Sequence, residues 1–326
     1  MKPTKEQLKE VDCLFVVDRV SGDPAMTAFK EEARYRQHLW AVNDRQIVEF
    51  GSHPGRKDSE GVRQREPNGT KLLDADAEAG KNFLSETIHQ AVEDRIKNNQ
   101  QSETLDKVRL RRDLLSSMPM AFNLFGEAAQ HDASKQALAE LFAPGADGPV
   151  EIIFEWSPER RSDKYTRDRT AFDVALRIGD LSGPQTVVGI ETKYHEHSER
   201  EKKPKAVAVQ RYEKQTAFLV DIAQRSGVFW DGWEDAVLPS DLRQIWRDHL
   251  LALSMRKHLD KWTEVIRYVL IYPSRNSSFA KAAQRYASLL KPGGNSFAAH
   301  TIEEIVGAAF AHGGSTEQQF RDRYLW

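Results

Sequence analysis

The sequence predicts a mixed α/β protein, with a central sheet flanked by helices and a mostly helical N-terminal region before it. Three observations carry this. Segments 150–156, 170–178 and 186–194 alternate residues with the period of a strand. Elsewhere apolar residues recur at helical spacing, with charges between them. After residue 149 the order is three strands, helix, insertion, strand, helix, short strand, helix, which reads as an antiparallel meander feeding a crossover.

The elements follow in chain order. Phe29, Ala33, Leu39 and Trp40 mark a helix over 25–42. Residues 51–70 are polar and rich in glycine, arginine and proline, and read as a long loop. Phe83, Leu84, Ile88, Ala91, Val92 and Ile96 mark a second helix that stops at Asn98-Asn99. Residues 103–142 read as mostly helical, broken at Pro119, with a last helix from Ser134 to Phe142 stopped by Pro144-Gly145. In the first strand Ile152, Phe154 and Trp156 alternate against Glu151, Ile153 and Glu155; in the second, Phe172, Val174, Leu176 and Ile178 share a face. Helices are predicted over 207–225, 278–290 and 301–311, a fourth strand over 265–272 and a short one over 297–300. The tryptophan-rich segment 226–263 is expected to be helical in part. The organisation expected is an N-terminal extension, 1–110, and a domain, 111–326.

Bulk properties bound the function. Of 326 residues, 40% are hydrophobic and 29% charged, enough apolar material for a sizeable core. The net charge of −2 does not announce a nucleic-acid binder, but a basic path along one surface would suffice for one. Cys13 is the single cysteine, which excludes an intramolecular disulfide and a cysteine zinc cluster. The apolar run Cys13 to Val17 is far too short for a membrane span, and no signal-peptide core follows Met1, so a cytoplasmic protein without membrane association is expected.

The chemistry concentrates on the second and third strands. If their connection centres near Ser182, Asp173 lies opposite Glu191, with Cβ atoms roughly 4.5–5.5 Å apart. Lys193, two residues on, shares that face, while Phe172, Val174, Leu176, Val188 and Ile190 form an apolar opposite face. Two close carboxylates repel unless a cation sits between them. Magnesium takes oxygen ligands, polarises a phosphate oxygen and lowers the pKa of a bound water. A lysine beside it could orient that water or stabilise developing negative charge. An E-x-K triplet alone is common, and its plain reading is a solvated cross-strand ion pair. The aligned aspartate, the apolar strand and the following helix favour the catalytic reading.

Phe172-Asp173, followed by Val188-Gly189-Ile190-Glu191-Thr192-Lys193, resembles the core motif of the PD-(D/E)XK, or restriction-endonuclease-like, nuclease superfamily. The segments 114–127 and 169–173 further resemble a bacterial family within it described as restriction endonucleases. The superfamily resemblance covers residues 120–310 and the closer one extends back to residue 30. It implies a three-layer core and a metal-dependent DNA endonuclease acting against foreign DNA. By the same resemblance Asp173, Glu191 and the Thr192 backbone carbonyl would be metal ligands, Lys193 the catalytic lysine, and Mg²⁺ the cofactor, with Mn²⁺ able to substitute. Phe172 stands where the superfamily's name has proline. RNA and a homodimer remain open. The competing reading is a nuclease-like fold that binds nucleic acid, or assembles with partners, without cutting; the intact Asp, Glu, Lys set argues against it.

Other residues are weighed beside these. Glu155 is a candidate to share the metal face, and equally an ordinary strand glutamate. Glu127 reads as a solvated helix residue rather than an extra metal ligand. Arg160, Arg161 and Lys164, with Arg167 and Arg169, flank the site on one side, and Lys202, Lys203 and Lys205 follow the third strand; both groups are candidate phosphate contacts, diluted by nearby acids. Gln210, with Tyr212, opens the next helix where some superfamily members place residues near DNA. His195 and His197 have the spacing of one strand face, but lack a third soft ligand and read as an exposed strand end. The tryptophans at 230, 233, 246 and 262 read as core or interface.

Overall fold

A computed structural model describes residues 2–326 apart from 58–59, 100–104, 181 and 203. Helices α1 (Lys5–Glu10) and α2 (Pro24–Arg45) come first, then strands β1 (Phe50–Lys57) and β2 (Arg63–Leu72). Helices α3 (Asp74–Glu78), α4 (Glu86–Lys97), α5 (Lys107–Arg112), α6 (Ser117–Phe125) and α7 (Asp132–Phe142) lead into β3 (Val150–Trp156), β4 (Phe172–Ile178) and β5 (Gln185–Thr192). Then come α8 (Val209–Ser226), α9 (Trp233–Val237), α10 (Arg243–Met255), β6 (Trp262–Tyr272), α11 (Ser277–Ala287), β7 (Phe297–Thr301), α12 (Ile302–Ala309) and α13 (Thr316–Tyr324). Among the described residues no helix is long and apolar enough to cross a membrane.

The five-stranded sheet runs in chain order, β3-β4-β5-β6-β7. Its first three strands are antiparallel, while β5–β6 and β6–β7 are parallel. The predicted mixed sheet is therefore present. Parallel neighbours require a crossover, supplied by α8 to α10 between β5 and β6 and by α11 between β6 and β7.

Two cores sandwich the sheet. On one side Val174, Leu176, Val188, Ile190, Val269 and Ile271 pack with α2, α4, α6, α7 and α12. On the other Ala175, Val187, Ile266, Tyr268 and Leu270 pack with α8, α10 and α11. This is a three-layer arrangement, and all eight residues of β5 are buried. The expectation of one apolar and one polar face on the β4–β5 hairpin is thus corrected. A strand covered by helices on both faces is apolar on both. Fully burying one Val, Leu or Ile contributes about 1.5–3 kcal/mol, so β5 is a strong anchor for whatever its end carries.

Phe172 also departs from expectation. Its ring lies against Gly189, where any Cβ would come within 2.4 Å of it, and belongs to the second core with Trp156 rather than beside Val174. The neighbouring edge strand is distorted at Glu155, whose φ is 52°. The carbonyls of Phe154 and Glu155 at this edge are capped by the Arg95 guanidinium, which donates to them at 2.9 and 3.2 Å. Such capping blunts the edge against further strand pairing.

Further corrections concern the N-terminal half. Residues 51–70 largely form the two-stranded β1–β2 hairpin rather than a loop, with Pro54 opposite Arg65 and Pro67 opposite Ser52. Pro119 does not break a helix; it sits in the first turn of α6, where its missing N–H costs nothing. Helix α2 starts cleanly because Pro24 follows an Asp23 cap that accepts from the Met26 N–H at 2.9 Å.

Candidate active site

The β4–β5 register places Val174 opposite Ile190, so the next positions outward are Asp173 and Glu191. Both lie where β4 begins and β5 ends. The ladder continues one step, because the Lys193 N–H donates to the Ile271 carbonyl at 2.8 Å. The sequence-predicted trio is therefore brought together at the carboxyl end of a buried strand, the place where open α/β sheets gather ligands.

Each side chain is held. The Thr192 N–H and Oγ1 both donate to Asp173 Oδ2 at 2.8 Å. The Lys193 ammonium donates to Glu191 Oε1 at 2.7 Å, and Gln244 Nε2 of α10 donates to the same oxygen at 3.1 Å. Glu191 and Lys193 are each only 7% exposed. The loop after them is pinned by Glu196, which accepts from the Ser117 hydroxyl and the Tyr194 N–H, and by Asn276, which donates to the Tyr194 and Glu196 carbonyls.

Two carboxylates and one ammonium leave an excess negative charge in a buried place. Burial, then the neighbouring Asp173, pushes Glu191 well above the usual carboxylate range. Burial also raises Asp173, though Lys193 and the Thr192 hydrogen bonds oppose it. Burial alone would depress the Lys193 ammonium, but Glu191, Asp173 and Glu196 outweigh it and keep it protonated. Excess buried negative charge beside an oxygen-lined opening is the setting a divalent cation relieves.

Asp173 and Glu191 line a groove of about 370 Å³ with Asp168, Arg169 and Thr170 of the β3–β4 loop and Gln244, Arg247 and Asp248 of α10. Asp248 is a functional candidate that sequence reasoning missed. It is 5% exposed, its Oδ2 has no hydrogen-bond partner among the described residues, and burial pushes its carboxyl up to about 7. Among the described residues no three His, Cys, Asp or Glu side chains are arranged to hold a metal ion directly. The donor set fits a cation held by two carboxylates and otherwise by neutral oxygens, water among them.

A model of the PD-(D/E)XK nuclease superfamily matches residues 23–326. The chain belongs to that superfamily. No curated protein and no solved structure matches it. Members of the PD-(D/E)XK superfamily are generally nucleases.

The remaining candidates are placed as follows. Glu155 does not line the Asp173–Glu191 groove; it lines a separate one with Asp94 and Arg95. The left-handed backbone at Glu155 is the local break in strand geometry that accompanies this. Arg160 braces its own loop, donating to the Glu155 and Arg169 carbonyls. Arg161 adopts a left-handed φ of 61° and its N–H donates to the Asp168 carbonyl. Lys164 is 3.9 Å from Glu159. Lys202 and Gln210 are exposed, and Lys203 lies outside the described residues. Tyr212 lies under the Arg243 guanidinium, 4.5 Å from ring centroid to carbon.

Glu127 is neither a metal ligand nor solvated; it accepts from Thr316 Oγ1 at 3.0 Å and lies 3.2 Å from His312 Nε2. His195 is buried rather than an exposed strand end, since β5 stops at Thr192 and the chain turns in. Its Nε2 lies 3.2 Å from the Lys30 carbonyl and 3.3 Å from Asp18 Oδ1. His197 Nδ1 faces the Lys30 ammonium at 3.2 Å, so the two histidines do not converge. Trp233, Trp246 and Trp262 are core residues, while Trp230 is half exposed.

Proposed function

We propose that this protein is a divalent-metal-dependent endonuclease that hydrolyses phosphodiester bonds of DNA, in defence against foreign DNA and in the cytoplasm. The observation that carries the reading is the cluster of Asp173, Glu191 and Lys193 at the buried end of β5, where two carboxyls share one ammonium and burial raises both carboxyls. In this reading Asp173 and Glu191, with the Thr192 carbonyl, would hold Mg²⁺, for which Mn²⁺ would substitute. The bound cation would polarise the scissile phosphate and lower the pKa of the attacking water.

The chain's own residues supply the rest. Thr192 orients Asp173 through two hydrogen bonds. Gln244 and Lys193 orient Glu191. Lys193, kept protonated, offers an ammonium to the negative charge that develops on the phosphoryl oxygens. Arg161, Lys164, Lys202 and Lys203 are proposed contacts to the phosphate backbone, with Arg160 and Gln210 beside them. Residues 111–326 form the nuclease-like domain in this reading, and residues 1–110 an elaboration of it.

The test is incubation with plasmid, linear and single-stranded DNA and with RNA, each with Mg²⁺, Mn²⁺ or EDTA. Cleavage of closed circular plasmid only with a divalent ion is the expected result. Metal-dependent cleavage of RNA alone would change the substrate, and binding without cleavage would favour a non-catalytic module.

The raised carboxyls carry a pH prediction. A group whose proton is held more tightly in the fold stabilises the metal-free protein at low pH and loses that contribution as pH rises through its raised value. Metal binding must expel the same protons. Mn²⁺ affinity should therefore fall as the pH is lowered while still above the ordinary carboxylate range, because Asp173 and Glu191 both hold their protons more tightly than usual, with proton release visible as a calorimetric enthalpy that varies with the buffer. Affinity that falls only within the ordinary carboxylate range would mean that the ligands are ordinary exposed carboxylates.

A further inference from the structure

Asp248 lies inside α10, where a buried carboxylate is costly unless something hydrogen-bonds to it. Yet no donor among the described residues reaches its Oδ2. The nearby cations are engaged elsewhere: Arg247 donates to Glu201 Oε1 at 2.8 Å, and Lys193 to Glu191. One helical turn earlier Gln244 donates to Glu191, so this face of α10 already addresses the metal-binding carboxylates. Asp248 lines the same groove as Asp173 and Glu191 but does not complete a direct three-acid metal cage with them. A hydrated divalent cation keeps several waters, and these are hydrogen-bond donors.

We propose that Asp248 is a positioning residue for the metal site, its buried oxygen accepting a hydrogen bond from the hydration shell of the cation held by Asp173 and Glu191. The proposal rests on the reading of Asp173 and Glu191 as metal ligands. Partners outside the immediate ligand set fix the orientation of what the metal binds, and losing one costs roughly 10–100-fold in metal affinity. A competing donor inside the protein is the Tyr268 hydroxyl, which is buried, feels the Asp248 charge and has no partner among the described residues. If Asp248 served only that hydroxyl, its role would be structural.

The test is calorimetric Mn²⁺ binding to wild type, Asp248→Asn, Tyr268→Phe and Asp173→Asn, with thermal melting of each in EDTA. Asp248→Asn should raise the Kd for Mn²⁺ roughly 10–100-fold, while its melting temperature in EDTA stays level or rises. Tyr268→Phe should leave the Kd unchanged. A wild-type Kd in Asp248→Asn overturns the proposal. So does a shared fall in melting temperature for Asp248→Asn and Tyr268→Phe without a change in affinity. Should Asp248→Asn fail to fold, Asp248→Ser takes its place, and failure of both assigns Asp248 to the fold and overturns the proposal. Wild type that binds no Mn²⁺, or Asp173→Asn that binds normally, removes the metal-site reading itself, and the proposal with it.

Discussion

Replacing Lys193 with alanine should cut the rate of DNA cleavage by roughly two or more orders of magnitude while leaving Mn²⁺ binding nearly intact. The ammonium is not a metal ligand. It sits 2.7 Å from Glu191 Oε1 and is kept charged by Glu191, Asp173 and Glu196. Its loss removes a preorganised positive charge from the place where the phosphoryl group gains negative charge. It also removes the one lysine pairing with Glu191, so metal binding should not weaken from lost attraction. A single-turnover cleavage time course beside a Mn²⁺ titration of the same protein checks this. Cleavage within a few-fold of wild type would show that the lysine is a structural ion pair.

The second large effect concerns the stability of the fold. Arg323 of α13 is 1% exposed, and its guanidinium donates to Gln37 Oε1, the Asn82 carbonyl and Asn82 Oδ1 at 2.7–2.9 Å. It also stacks 3.7 Å over the Trp40 ring. Burial depresses it to about 10, low for an arginine yet still charged at neutral pH. This side chain ties the C-terminal helix to α2 and to the segment before α4. Arg323→Ala would leave three buried acceptors without their donor, at about 1–3 kcal/mol each, and empty the space above Trp40. A loss on the order of 4 kcal/mol is expected, read from the shift in urea midpoint at constant m. A loss under about 1 kcal/mol would mean that water replaces the guanidinium freely.

Much of the fold was legible because apolar periodicity survives wherever a strand or helix is covered. The spans at 150–156 and 265–272, and the short strand near 297, stand close to the observed β3, β6 and β7. The β1–β2 hairpin was not legible. It stands apart from the main sheet as a two-stranded pair, and its prolines and glycines imitate a loop. The site trio was legible through register alone, since 174 opposite 190 carries 173 and 191 with it. The character of the surrounding face was misjudged. Thr186-Val187-Val188-Gly189-Ile190 is a nearly continuous apolar run, the signature of a strand buried on both sides, to which strict alternation does not apply. Asp248 left no usable signal. A lone aspartate in a helical pattern reads as solvent-facing, and only the packing of α10 across β5 and β6 turns it toward the strand ends.

The most direct test of the metal-site reading is Mn²⁺ titration of wild type, Asp173→Ala and Glu191→Ala by calorimetry, paired with plasmid cleavage by each. The expected result is one equivalent bound by wild type, neither binding nor cleavage in the two variants, and a metal-free fold at least as stable as wild type once the carboxylate repulsion is relieved. Wild-type binding and cleavage in both variants would contradict it and move the active site elsewhere.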